Sequence, residues 1–440
     1  MGTGKTLTSI ATLGALHQAG KVHRVLVVAP SSVCDVWRRE MNAQATFDHE
    51  VYVLLGTKAQ RLKTLETLRS YKGEEGGPLR MAVINYEAVW RDYILPELFD
   101  WAPDMVIADE SQRIKSHDAA QSIAMHRLGD RAAYKMILSG TPVQNSAIDL
   151  YSQFRFLDPT VFGSNFYAFR NRYARMGGFG GKQIIGYQNV DELVRKTYSV
   201  AYRVTKAEAL DLPEQTFENR YILLDSDTQN LYKRLRREAV LELENGDTVT
   251  ATSVLTKLLR LQQLTGGFLT TDETGEPELI STEKATALME IVNDLKDAGQ
   301  KVVIFARFTA EIDLIRSRLK AADVEHCILD GRTPMKDRGE LVERFQRDPK
   351  VTAFVAQIQT AGLGITLHAA SVAVYYSLDF NLANYSQSLA RIHRIGQRHP
   401  VTYVHLLASG TVDEKVMAAL EAKQNLADRI IDTWREVLGD

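Results

Sequence analysis

Hydrophobic positions along this chain fall into short runs separated by longer amphipathic stretches. In the first third the runs are residues 25–29, 51–55, 81–84, 105–108 and 136–138. Each is short, almost wholly apolar and rich in Val and Ile, the pattern of a strand buried on both faces of a parallel sheet. The stretches between them have helical periodicity, so this part reads as an α/β sheet covered by helices. From about residue 159 to 268 the pattern becomes mostly helical, with many Arg, Lys and Tyr residues, and Gly177, Gly178, Gly180 and Gly181 mark a loop within it. Residues 271–277 are polar with Gly and Pro and read as a linker. The α/β rhythm then returns, with strands expected at 302–305, 327–329, 353–356, 372–376 and 401–404. The expected division is 1–158, a first sheet lobe; 159–275, a helical protrusion and linker; and 276–440, a second sheet lobe with C-terminal helices.

Composition narrows the class. The chain has 440 residues, 45% hydrophobic and 25% charged, ordinary for globular domains with real cores. No apolar run is long enough to cross a bilayer, and the polar, glycine-rich start does not read as a secretory signal, so no membrane partner is expected. The two cysteines, Cys34 and Cys327, cannot form a disulfide framework or a cysteine-rich zinc site and read as buried, inert thiols of a reducing compartment. The expected location is the cytoplasm, at the nucleoid, or the nucleus in a eukaryote. Net charge is −2. A nucleic-acid partner would therefore need a local basic surface offset by acidic surface elsewhere.

Two short motifs carry nucleotide chemistry. Gly2-Thr3-Gly4-Lys5-Thr6 matches the end of a phosphate-binding loop: glycines let backbone N–H groups approach phosphate oxygens, and the following helix points its positive end at them. Lys5 would reach the β- and γ-phosphates and the Thr6 hydroxyl would bind Mg²⁺. Residues 105–110 place an apolar strand before two carboxylates. Asp109 would hold Mg²⁺, and Glu110 would orient and deprotonate an attacking water. Ser139-Gly140-Thr141-Pro142 is either a simple turn or a loop coupling nucleotide to a track, and spacing alone does not choose. Arg391 and Arg394, three apart, would share a face if helical. They are either a solvated basic helix or cations that neutralise charge developing in phosphoryl transfer. His393 reads as a structural histidine.

Together these residues resemble Swi/Snf-type DNA translocases of helicase superfamily two. Gly2 to Thr6 resembles that family's first motif, Asp109-Glu110-Ser111-Gln112 its second, and Leu138 to Asn145 its third. Arg203 to Pro213 is similar to the family's link after the first protrusion. Leu329-Asp330-Gly331, Gly362-Leu363-Gly364-Ile365-Thr366-Leu367 and Arg391-Ile392-His393-Arg394-Ile395-Gly396-Gln397 resemble motifs of the second lobe. The resemblance implies two RecA-like lobes with helical protrusions between them, and an ATP- and Mg²⁺-dependent motor that tracks double-stranded DNA. Replication, repair or recombination proteins are candidate further partners, and no zinc is expected. It implies nucleotide contacts from Gly2, Thr3, Gly4, Lys5, Thr6 and Gly364. Catalytic roles are implied for Lys5, Asp109, Glu110, Gln112, Gln387, Arg391 and Arg394, and DNA-backbone contacts for Ser31, Thr360 and Thr366.

The departures are specific. Gln112 stands where His is commoner, as in annealing-helicase and related phage members, and could still link the γ-phosphate to the third motif. Thr366 replaces Asn, and Phe380 and Leu382 replace Trp and Pro. The likeness is to bare-motor members without reader segments. Met1 falls where the family's motif has an internal methionine, so the chain is expected to begin inside a longer protein and, as given, to bind ATP weakly and turn it over slowly.

Overall fold

The computed structural model describes residues 3–70, 76–177, 183–245, 251–270, 276–363 and 365–432. It divides into two compact units, Met1–Ala209 with Lys423–Asp440, and Leu210–Ala422.

The first unit is built on strands β1 (Arg24–Ala29), β2 (His49–Leu54), β3 (Leu79–Asn85), β4 (Met105–Asp109) and β5 (Tyr134–Leu138). All run parallel, in the order β2-β3-β1-β4-β5. Successive side chains point to opposite faces of a strand, and here both faces are covered. Leu26, Val28, Ala82, Ile84, Val106 and Ala108 enter one core. Their neighbours Val25, Val27, Met81, Val83, Met105 and Ile107 enter another. That two-sided burial is why the strands read as unbroken apolar runs. Each fully buried Val, Ile or Leu contributes roughly 1.5–3 kcal/mol. With β1 central, the chain moves outward to β2 and β3 and then crosses to β4, so the carboxyl ends of β1 and β4 flank the switch point where α/β sheets bind ligands.

The second unit repeats the design. Its sheet comprises β8 (Gln215–Ile222), β11 (Val302–Ala306), β12 (His326–Leu329), β13 (Ala353–Gln357), β14 (Val372–Tyr375) and β15 (Val401–Ala408), all parallel, in the order β12-β13-β11-β14-β15-β8. One face buries Val302, Ile304, Val355 and Val374. The other holds an aromatic layer in which Phe305 stacks on Tyr375 at 5.1 Å and Tyr375 on His405 at 5.1 Å. The two parallel α/β sheets are the fold class expected.

The middle of the chain requires corrections. It contains the expected helices, among them Phe166–Tyr173, Val190–Tyr198 and Ser226–Asn245. It also contains an antiparallel hairpin, β6 (Ala174–Gly177) with β7 (Gln183–Tyr187), and the full-length edge strand β8. The linker reading ends differently too: Pro277–Leu279 is a strand, β10, paired with β9 (Phe268–Thr270). Residues 271–275 of that linker, and Gly178, Gly180 and Gly181 of the glycine loop, lie outside the described residues.

Candidate nucleotide site

In the first unit the helix Lys5–Gln18 starts at Gly4, whose φ of 88° is a conformation that favours glycine. Ile10 and Leu13 anchor this helix in the core, and the Ser9 hydroxyl reaches Met136 of β5 at 3.3 Å. The start of the helix is thereby fixed against the sheet. Lys5 and Thr6 are half-buried and Thr3 precedes them. Gly2 lies outside the described residues.

Asp109 is the last residue of β4 and is 6% exposed. The Trp37 indole donates to its Oδ2 at 2.9 Å and the Glu110 backbone N–H to its Oδ1 at 2.9 Å, while the Tyr86 hydroxyl donates to its carbonyl at 2.8 Å. Burial pushes the Asp109 carboxyl up from its ordinary pKa, and the Glu110 charge adds to this; the Trp37 bond and the Lys5 charge act against both. A buried carboxylate raised in this way is suited to a cation. Mg²⁺ is an ion that takes one or two protein carboxylates and keeps waters and phosphate oxygens for its other positions, so a single carboxylate of this kind fits what it asks of a protein.

Glu110 turns the chain with φ 51°, an uncommon left-handed conformation for a side-chain-bearing residue. A relay begins at its carboxylate. Gln112 Nε2 donates to Glu110 Oε2 at 2.6 Å, Ser139 Oγ donates to Gln112 Oε1 at 2.8 Å, and the Thr141 N–H donates to Ser139 Oγ at 3.0 Å. Gln112 thus ties the carboxylate after β4 to the loop after β5. That loop is itself pinned: Asp149 Oδ2 accepts from the Gln144 and Asn145 N–H groups at 2.9 and 2.8 Å, Gln153 Nε2 donates to the Pro142 carbonyl at 2.8 Å, and Lys115 Nζ donates to Gln144 Oε1 at 2.7 Å. Ser111 donates to Gln153 Oε1 at 2.8 Å.

Sequence reasoning missed Trp37, Tyr86 and Gln153, and named Ser111 within a motif without giving it a role. Gln153 left only a weak signal, one of three polar residues, with Ser152 and Arg155, in the helix Leu150–Leu157. Ser31 is exposed in the turn after β1.

The second unit holds the remaining expected residues. Gln387 and Arg391, four apart on the helix Leu382–Ile392, share a face and are half-buried. Arg394 does not share it: the helix stops at Ile392 and His393 caps it with ψ 87°. The cause is the buried His393 ring, which meets Gln215 Nε2 at 2.6 Å and the Pro213 carbonyl at 2.8 Å, the structural role read from sequence. Arg394 Nη1 instead donates to the Ile365 carbonyl at 3.3 Å, and burial lowers its pKa from the ordinary arginine value.

Gln397 closes this loop, donating to the His368 and Ala370 carbonyls at 3.2 and 2.8 Å and accepting from the Arg398 and His399 N–H groups at 2.9 and 3.0 Å. The Leu367 N–H also donates to the Arg391 carbonyl at 2.9 Å. Two motifs apart in sequence are therefore one structure. Thr366, beside them, is half-buried. Thr360 is turned inward: it is 9% exposed and its hydroxyl donates to the Gln357 carbonyl at 2.6 Å. Gly364 lies outside the described residues.

Known domain families and proteins similar to this chain cover nearly its whole length. The SNF2-related domain model matches residues 1–266 and the helicase conserved C-terminal domain model residues 283–396. An uncharacterised ATP-dependent helicase of Mycoplasma genitalium is 25% identical over 98% of this chain and 40% of its own length. The ISWI chromatin-remodeling complex ATPase of Saccharomyces cerevisiae is 26% identical over 100% of this chain and 39% of its own length. Among solved structures, the Sulfolobus solfataricus SWI2/SNF2 ATPase core in complex with dsDNA is 26% identical, with a TM-score of 0.42, covering 98% of this chain and 87% of that one. The chain spans about two fifths of the length of the curated relatives it matches. With one domain model covering more than half of the chain and a second following it in order, the chain belongs to the SNF2-related family of helicase-like ATPases.

Proposed function

We propose that this chain is a DNA-stimulated ATPase that moves along double-stranded DNA without separating its strands. The observation that carries the reading is the relay Glu110–Gln112–Ser139–Thr141. It joins a carboxylate fit to orient water with a loop that has no other evident reason to sense nucleotide. In this reading Lys5 and the backbone N–H groups at the start of its helix bind the ATP phosphates. Thr6 and Asp109 hold Mg²⁺, which when bound offsets phosphate charge. Glu110 orients the water and accepts its proton. Arg391 and Arg394 are proposed as the cations that stabilise the transition state, and Ser31 and Thr366 as contacts to the DNA backbone. A third strand annealed to a duplex provides the test. ATP-dependent displacement of the third strand, with a forked duplex left intact, supports the reading. Unwinding of the fork would make the chain a strand-separating helicase, and absence of displacement with intact ATP turnover would remove translocation.

A further inference from the structure

Positive charge is unevenly distributed in this chain. Residues 159–205 hold seven Arg and Lys against two acids, whereas the whole chain is net −2. We propose that the part of the first unit formed by these residues is a separate DNA-gripping surface, outside the nucleotide site, that binds duplex phosphates. The proposal rests on the DNA reading above.

The residues form one packed platform. Phe162, Phe169 and Tyr173 cluster with ring separations of 5.0, 5.9 and 4.9 Å, and Leu193 and Val194 are buried. The hairpin is tied to the helix before it by Gln188 and Asn189, which donate to the Tyr173, Asn171 and Arg172 carbonyls at 3.0, 3.0 and 2.8 Å. From this base Arg172, Arg175, Arg195 and Lys196 project to the exposed surface. Tyr167 is 61% exposed, with the Arg170 guanidinium over its ring at 5.1 Å. The hairpin gives Arg175 its room: it pairs with Gly186, where a Cβ would lie 2.8 Å from the guanidinium.

A solvated basic face is the ordinary meaning of such residues. Two features favour a partner. The principal acid, Glu192, is already engaged, by Arg172 at 2.5 Å, Lys196 at 3.5 Å and the Tyr173 hydroxyl at 3.0 Å, and Asp191 is the one other acid of residues 159–205, so the excess positive charge of this stretch is not offset within it and favours an anion. Exposed Arg and Tyr on a rigid base also match what phosphate oxygens accept, forked and single N–H or O–H donors. Duplex DNA is favoured over an acidic protein segment because the proposed motor site belongs to the same unit.

The test uses the full chain and the triple variant Arg175→Glu, Arg195→Glu, Lys196→Glu, with binding to a short labelled duplex read by anisotropy across a salt series. The variant is expected to lose roughly tenfold or more in affinity, and the log–log salt slope to become shallower by about 2–3, since each phosphate contact contributes about 0.9. Melting temperature and DNA-independent ATP turnover should match wild type. If charge reversal lowers the melting temperature, the corresponding Gln variants are read in the same way. Wild-type affinity and slope in the variant would overturn the surface and leave the motor reading standing. Failure of the wild type to bind duplex at all would overturn both. Loss of polyglutamate binding with duplex binding unchanged would assign the face to an acidic protein and overturn the proposal.

Discussion

At Glu110 the backbone adopts a positive φ, and its carboxylate is held by Gln112 at 2.6 Å. An uncommon backbone conformation and a dedicated side-chain partner both serve to aim one group, which is what a water-orienting base requires. Replacing Glu110 with Gln keeps size and hydrogen bonding but removes the proton acceptor. ATP turnover should fall roughly 10²–10⁴-fold, the usual contribution of general base catalysis, while nucleotide affinity stays near wild type. Single-turnover hydrolysis alongside a fluorescent-nucleotide titration separates the two effects. A variant that turns over at a near-normal rate would remove Glu110 from this role. The part played by Gln112 could be anticipated only through the family resemblance, because nothing in its neighbours says that it faces Ser139, 27 residues away.

Among the elements, the loop after the helix Leu382–Ile392 is tied together largely by one buried side chain. Gln397 is 7% exposed and bridges backbone groups on both sides of the loop. Gln397→Ala leaves the buried Ala370 carbonyl without this donor, at roughly 1–3 kcal/mol, and frees the segment that positions Arg394. Urea unfolding should show that loss, and DNA-stimulated hydrolysis should fall with it; unchanged stability would mean that the loop is held by other contacts. Ten strands of the two sheets were legible as short apolar runs, the inner ones because a strand buried on both faces is an apolar run whatever its neighbours, and β2, β5 and β12 because they are mostly apolar although they lie at sheet edges. The edge strand β8 was not, since most of Gln215–Ile222 is exposed and its partner, residues 401–408, lies far along the chain. Polar edge strands of this kind avoid unwanted pairing and so lack the signal that marks a strand. The helical face assumed for Arg394 failed for a related reason: the helix is ended by His393 contacting Gln215 and Pro213, a tertiary event with no local mark.

At the scale of the whole molecule, two buried groups in the second unit oppose each other in pH. His405 is fully buried, with Tyr385 Oη 3.0 Å from Nε2 and Asn219 Oδ1 3.0 Å from Nδ1, and burial pushes its pKa down from 6.5 to about 4. Its contribution is complete above pH 6.5 and is lost as pH falls toward 4, so stability rises with pH across that window. Glu311 is also fully buried, accepting at Oε2 from the Arg307 and Phe308 N–H groups and the Ser377 hydroxyl, and burial raises its pKa from 4.5 to about 7. Its folded state holds the proton longer, so stability falls as pH rises from 4.5 to 7. Each effect amounts to about 3 kcal/mol at ~1.4 kcal/mol per pKa unit, and they nearly cancel between pH 4.5 and 6.5. Chemical unfolding across this range should therefore show a rising slope in Glu311→Gln and a falling one in His405→Gln relative to wild type. Identical pH profiles in all three proteins would mean that neither group titrates as described. The central claim, that DNA drives this ATPase, is met most directly by steady-state ATP turnover measured with duplex DNA, single-stranded DNA and no DNA at matched salt. Duplex should stimulate turnover more than single strands do, with the stimulation falling steeply as salt rises; a rate indifferent to DNA would contradict it.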